Sequence, residues 1–166
     1  LVSGGEDPVF IARRLVILAS EDIGMANPQA LLLASATLES VARIGYPEAR
    51  IPLSQTTLYL SLSPKSNSAY LAIEAALEAV RLAEQQPPVP EALSNPVTKM
   101  QKDLGYGQGY QYSHEGPHHF VHQDFMPTSL RGRVFYQPAG NEREQAYQRW
   151  LQDHWPEYTL GSSDSG

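Results

Sequence analysis

Leu53-Ser54-Gln55-Thr56-Thr57-Leu58-Tyr59-Leu60-Ser61-Leu62 is the stretch on which the fold class turns. Leu58, Leu60 and Leu62 alternate with Tyr59 and Ser61, and two threonines precede them. By period alone that is a strand. Its neighbours on both sides have helical spacing, however, and a lone strand here has no evident partner. Helix is therefore the expectation for 53–62, and an all-α fold follows from it.

Upstream, Asp7-Pro8 is an N-cap and first-turn pair. The segment Val9 to about Ser20 carries Ile11, Leu15 and Leu18 on one face, widened by Val16 and Ile17, so burial on most sides is expected. Glu21-Asp22-Ile23-Gly24 closes it, with Gly24 suited to a left-handed position. Asn27-Pro28 repeats the start signal. The helix it opens runs to about Arg43, with Leu31, Ala34, Leu38, Val41 and Ala42 along its stripe, and Tyr46-Pro47 breaks the pattern. Ser63-Pro64-Lys65-Ser66-Asn67 is a tight connection in which Ser66 or Asn67 caps the next helix. That helix runs to about Gln86, with Tyr70, Ile73, Leu77 and Val80 on one stripe and alanines elsewhere, a surface that another helix can approach closely.

Composition changes near Pro87. Residues 1–86 form a helical core, and residues 87–166 a Pro/Gly/Tyr-rich appendage with short helices. The two make one structural domain over 1–160, with 161–166 as a flexible polar tail. Gln85 to Pro90 is a stiff link. Asn95-Pro96 opens a short helix that Gly105 ends. After it, glycines at 105, 107 and 109 interleave with Tyr106, Tyr110 and Tyr112, giving a loop shaped for docking. Phe120-Val121 and Val134-Phe135-Tyr136 are the two arms of a candidate short β-hairpin in an otherwise irregular Gly/Tyr/His-rich region. Asn141-Glu142-Arg143-Glu144 is a capping-box variant opening a last helix with Tyr147, Trp150 and Leu151.

Net charge is −6 over 166 residues, and each half, 1–86 and 87–166, holds six basic and nine acidic side chains. No basic half exists to grip phosphates by bulk charge. Cysteine is absent, which excludes disulfide frameworks and cysteine-rich zinc sites. No apolar run reaches the roughly 20 residues of a membrane span. The chain reads as a piece of a longer cytoplasmic protein.

Chemistry-bearing clusters are few. Gly105–Gly109 lacks the Lys-Ser/Thr ending of a phosphate-binding loop and follows a helix rather than a strand, so a docking turn is the better reading. His114, His118, His119 and His122, with Glu115 and Asp124, have zinc-ligand side chains. Pro117 interrupts any helix through them, and a surface loop is the simpler account. His154 beside Asp153 does not make a catalytic pair, because sequence neighbours on a helix point apart. Lys99, Lys102, Arg131 and Arg133 surround Tyr106, Tyr110 and Tyr112, a mixture suited to base stacking and phosphate contact. The alternative is that the tyrosines staple the irregular region to the helices.

Several motifs occur together in one order: Ser20–Gly24, Asn27–Leu31, Ser63–Asn67, Leu104–Tyr110, Leu130–Arg133 and Phe135–Pro138. In this set the chain resembles the C-terminal domain of the RarA/MgsA family of AAA+ ATPases, the replication-associated recombination proteins that include the Werner-helicase-interacting protein. Gln108 stands where that family commonly has lysine. The resemblance spans about Glu6 to Pro138 and supports helix for 53–62. It implies an all-helical, non-catalytic domain that assembles into a homotetramer downstream of an AAA+ module. ATP and magnesium would bind in that module, with no cofactor or metal in this fragment. The implied partners are DNA and single-stranded-DNA-binding protein, at replication forks in the nucleoid. The runner-up reading is a nucleic-acid or protein docking module centred on Lys99–Tyr112.

Overall fold

The computed structural model describes residues 4–83, 87–90, 93, 111–116, 120–121, 123 and 125–156. Among these there are five α-helices and no strand: α1 (Pro8–Leu18), α2 (Gln29–Ile44), α3 (Arg50–Leu62), α4 (Ser68–Arg81) and α5 (Glu142–His154). The all-α expectation holds, and 53–62 is helical. The candidate hairpin does not form: Phe120, Val121 and Val134–Tyr136 belong to no strand. Asn95-Pro96 and the Gly105–Tyr110 run lie outside the described residues.

The chain divides into two compact units, residues 1–75 with 134–166, and residues 76–133. In the first, α1, α2 and α3 pack against one another. Asp7 caps α1 as its sequence predicts, its Oδ1 accepting from the Val9 N–H at 3.1 Å. Beyond Leu18 the chain does not stop but widens into a π-helical turn, Ala19–Ile23, and then a 3₁₀ turn, Gly24–Ala26. Gly24 has a positive φ of +46°, which glycine permits, but its ψ of −127° lies outside the left-handed helical position expected of it.

The core is built from small side chains. Ala12, Leu15, Ala19, Ile23, Ala30, Ala34, Val41, Ala49, Leu53 and Leu60 form one buried cluster. On α2 Ala34 and Val41 are buried as expected and Leu38 packs half-buried on the core, but Ala30 and Thr37 are buried too, while Leu31 and Ala42 are exposed. On α1 only Ala12 and Leu15 are buried, whereas Phe10 and Ile17 are exposed, so the helix is not enclosed on most sides. The reason is geometric. Alanine faces let helix axes approach closely, and close approach turns the bulkier neighbours outward.

Helix α3 follows the same rule, burying Leu53, Thr56 and Leu60. Thr37 and Thr56 share a buried hydroxyl–hydroxyl hydrogen bond across the α2–α3 contact. Asn27, expected to cap α2 with its side chain, does otherwise: α2 has no side-chain cap bond. The Asn27 amide instead donates to Tyr59 Oη (3.0 Å) and Ser63 Oγ (3.2 Å), tying the α2 start to the α3 end.

In the second unit, residues 76–133, 3₁₀ turns occur at Ser113–Glu115 and Thr128–Leu130. Leu130 is buried, and the Tyr112 and His114 rings lie 5.0 Å apart. Gly116 is obligatory on steric grounds, since a Cβ there would lie 2.1 Å from the Phe120 carbonyl oxygen.

Candidate functional site

Two of the sequence motifs meet in the first unit. The Ser66 N–H donates to the Asp22 carbonyl at 2.8 Å. Gly24 lies so close that a Cβ would sit 2.6 Å from the Ser66 carbonyl oxygen. Ser20–Gly24 and Ser63–Asn67 are thus two halves of one junction, closed through backbone groups that only a glycine at 24 admits.

A buried polar network starts at this junction. The Ser66 hydroxyl accepts from the Ser68 N–H, capping the first turn of α4, and lies 2.9 Å from the Ser68 hydroxyl. Ser68 in turn donates to Glu144 Oε1. Tyr136 Oη donates to the same oxygen at 2.9 Å, and the Asn141 side-chain amide donates to Oε2. Asn141 Oδ1 accepts from the Glu144 N–H at 3.0 Å, so the expected cap of α5 is present. Its acid does more than a capping box asks, because Glu144 is wholly buried. No cation pairs with it among the described residues.

Burial alone pushes the Glu144 carboxyl up. The nearby Ser66 hydroxyl and the hydrogen bonds from Ser68, Asn141 and Tyr136 outweigh that penalty and hold it below its ordinary value. Burial, then the bond to the Glu144 carboxylate, pushes the Tyr136 phenol well above its ordinary value. The network therefore contains a charged carboxylate satisfied by neutral donors, an arrangement that fixes geometry but has no mobile proton near neutral pH.

Beside the network lies an open groove of about 550 Å³ lined by Ala26, Pro64, Asn141, Glu142, Arg143, Ala146 and Arg149. Neither arginine is in an ion pair or hydrogen bond among the described residues.

The residues singled out from sequence are only partly placed. Tyr112, Arg131 and Arg133 are exposed. Lys99, Lys102, Tyr106 and Tyr110 fall outside the described residues, as do His118, His119, His122 and Asp124. Among the described residues, no three His, Asp or Glu side chains come together as a metal-ligand set. His154 stacks on Trp150, ring centroids 4.3 Å apart. No helix among the described residues is long and apolar enough to cross a membrane. Sequence reasoning missed the Ser68–Tyr136–Glu144 network. Its one visible sign was an acid three residues past a cap, which is ordinarily exposed.

Residues 1–155 match the family described as MgsA AAA+ ATPase C terminal, and the chain belongs to that family. Among relatives, it is 43% identical over 138 residues to Replication-associated recombination protein A of Bacillus subtilis, covering 83% of this chain and 32% of that protein. The protein of the same name in Escherichia coli K12 is 35% identical over 145 residues, 87% of this chain and 32% of that one. ATPase WRNIP1 of Dictyostelium discoideum is 37% identical over 155 residues, 88% of this chain and 17% of the relative. The chain spans about a third of the length of the bacterial relatives.

Proposed function

We propose that this chain is the self-association domain of a RarA-type AAA+ ATPase acting at replication forks, non-catalytic by itself. ATP and magnesium would be held by the AAA+ module of the longer protein, which also hydrolyses ATP. DNA and single-stranded-DNA-binding protein are the partners of that whole assembly, which we take to be a homotetramer.

One observation carries the reading: large apolar side chains face outward along whole helix stripes. On α3, Ile51, Leu58 and Leu62 are exposed, Leu62 to 84%. On α4, Tyr70, Ile73, Leu77 and Val80 form the stripe read from sequence, and all four are exposed. Among the alanines of α4, Ala79 is buried, Ala72 and Ala76 are half-buried, and Ala69 and Ala75 are exposed. Large apolar residues left exposed along a helix face are the mark of an interaction surface, and obligate self-association faces resemble a core cut in half. Self-association would set how many ATPase modules engage one DNA, raising effective concentration without new contacts.

Light scattering of the 1–166 chain across concentration tests this. A concentration-stable oligomer is expected, reduced to monomer by Leu58→Glu/Leu62→Glu or by Ile73→Glu/Leu77→Glu. Whichever pair acts identifies the helix at the interface. A wild-type monomer at every concentration would overturn the reading.

A second reading, a docking module centred on Lys99–Tyr112, is favoured by one placement: Tyr112, Arg131 and Arg133 are all exposed within residues 76–133. Its mark would be oligonucleotide binding lost in Lys99→Glu/Arg131→Glu.

A further inference from the structure

Helix α1 has a second face that neither the core nor the stripes of α3 and α4 use. Phe10, Arg13, Arg14 and Ile17 are spaced i, i+3, i+4, i+7 and so lie together along one side of the helix. All four are exposed, Phe10 to 50% and Ile17 to 43%, while Ala12 and Leu15 are buried in the core cluster. Neither arginine is in an ion pair or hydrogen bond among the described residues. The nearest acids along the chain, Asp7 and Glu21, stand six and seven residues from them, and Asp7 is occupied with the α1 cap.

The make-up of this face decides what can cover it. A second copy is opposed by charge. Across a two-fold axis a patch meets itself, and the middle of this one is Arg13 and Arg14, so four guanidiniums would converge. A nucleic acid would engage the arginines and leave Ile17 without a partner. Size argues against any separate protein molecule. A stable interface between separate molecules takes roughly 20–30 residues a side, and this face has four. So few can hold a partner that is tethered nearby, for which most of the cost of association is already met. Contacts between domains of one chain are also the more polar kind, and this face mixes charge with apolar groups in that way.

The longer protein supplies such a partner, since this chain spans about a third of its bacterial relatives. The stretch that matches an AAA+ ATPase C terminus starts at residue 1, and α1 opens at Pro8. The seven residues between reach about 25 Å when extended, so a module joined there stays within range of α1. We infer that the AAA+ module of the same chain docks on the Phe10–Arg13–Arg14–Ile17 face, its apolar groups over Phe10 and Ile17 and its carboxylates against the two arginines. The inference takes the AAA+ module from the proposed function and nothing from self-association. The platform is rigid, because Ala12 and Leu15 of α1 pack into one cluster with Leu53 and Leu60 of α3.

Hydroxyl-radical footprinting read by mass spectrometry tests this on the 1–166 chain beside the longer protein, both without DNA. Oxidation of Phe10 and Ile17 should fall about tenfold in the longer protein, the protection of a contact closed about nine-tenths of the time. Leu32 on α2, exposed to 71%, should oxidise nearly alike in both. In the longer protein, Arg13→Glu/Arg14→Glu should return Phe10 and Ile17 most of the way to their rate in the 1–166 chain. Arg13→Lys/Arg14→Lys should keep most of the protection. Buried Leu53 and Leu60 stay unoxidised in any sample that has folded. Phe10 and Ile17 equally open in both proteins would overturn the proposal, as would full protection persisting in Arg13→Glu/Arg14→Glu. Protection in the 1–166 chain that grows with concentration would assign the face to a second copy instead, and protection that appears only with an oligonucleotide would assign it to nucleic acid. Light scattering on the same samples keeps the two readings apart: a monomer with α1 protected sinks self-association alone, and an oligomer with α1 open sinks this proposal alone.

Discussion

The Ser68 hydroxyl donates to the Glu144 carboxylate across 76 residues of sequence. That bond fastens α5 to the start of α4, and with Asn141 and Tyr136 it satisfies a charge that has left water entirely. A buried carboxylate held by neutral donors is costly to disturb, because losing a partner leaves the full desolvation penalty behind.

Glu144→Gln keeps the shape but places an amide where every neighbour donates. A loss of about 1–3 kcal/mol is expected from the urea midpoint at neutral pH. Because the folded carboxyl is held below its ordinary value, its contribution is present above the unfolded value, about 4.3, and disappears as pH falls through the lower folded value. Wild type should therefore lose stability more steeply than Glu144→Gln on acidification below about pH 5. Parallel pH profiles for the two proteins would show that Glu144 is not held as a carboxylate.

Gly24→Ala tests the junction between Ser20–Gly24 and Ser63–Asn67. Positive φ and a Cβ 2.6 Å from a backbone oxygen both oppose the substitution. We expect a loss of about 1–3 kcal/mol from the strained backbone, with the clash adding to it. A midpoint unchanged by Gly24→Ala would mean that the junction can open without cost.

Asn27→Asp discriminates between two roles for Asn27. Were it the α2 cap, aspartate would serve as well. As a donor to Tyr59 and Ser63 it meets hydroxyls that already donate elsewhere, Tyr59 to Gln29 and Ser63 to the Tyr59 carbonyl, so a carboxylate is satisfied only by turning those hydroxyls away, and the exchange should cost about 1–3 kcal/mol. Thermal unfolding of Asn27→Asp beside Asn27→Ala decides it: equal damage supports the donor role, and a harmless aspartate refutes it.

Local chemistry made much of the fold legible. Asp7, Gly24 and Asn141 act as their residue types predict, and the Leu53–Leu62 stretch was resolved by its neighbours rather than by its own period. What the sequence hid depends on contacts between distant segments. Which face of α2 is buried depends on how closely α1 and α3 approach, and that closeness follows from alanines such as Ala12 and Ala49, which carry little signal in a hydrophobic pattern. Glu144 was visible as a cap partner but not as a buried charge, since Ser68 and Tyr136 reach it only once the chain has folded. The arginines of the groove carried no motif. Alone on a helix they resemble any solvated charges, and only the cavity beside Ala26 and Pro64 singles them out.

The Thr37–Thr56 pair yields a prediction in which one change is worse than two. Both hydroxyls are buried, and each is the other's partner across the α2–α3 contact. Thr56→Val strands the Thr37 hydroxyl in an apolar contact, at a cost of about 1–3 kcal/mol. Thr37→Val does the same to Thr56. Replacing both removes two polar groups of nearly the right shape, so Thr37→Val/Thr56→Val should unfold close to wild type or above it. A double-mutant cycle by urea denaturation measures this directly, with a coupling of about 1 kcal/mol or more expected. Additive losses would instead mean that each hydroxyl is satisfied by its own helix carbonyl, leaving the packing of Ala30, Ala34 and Leu53 to hold α2 against α3.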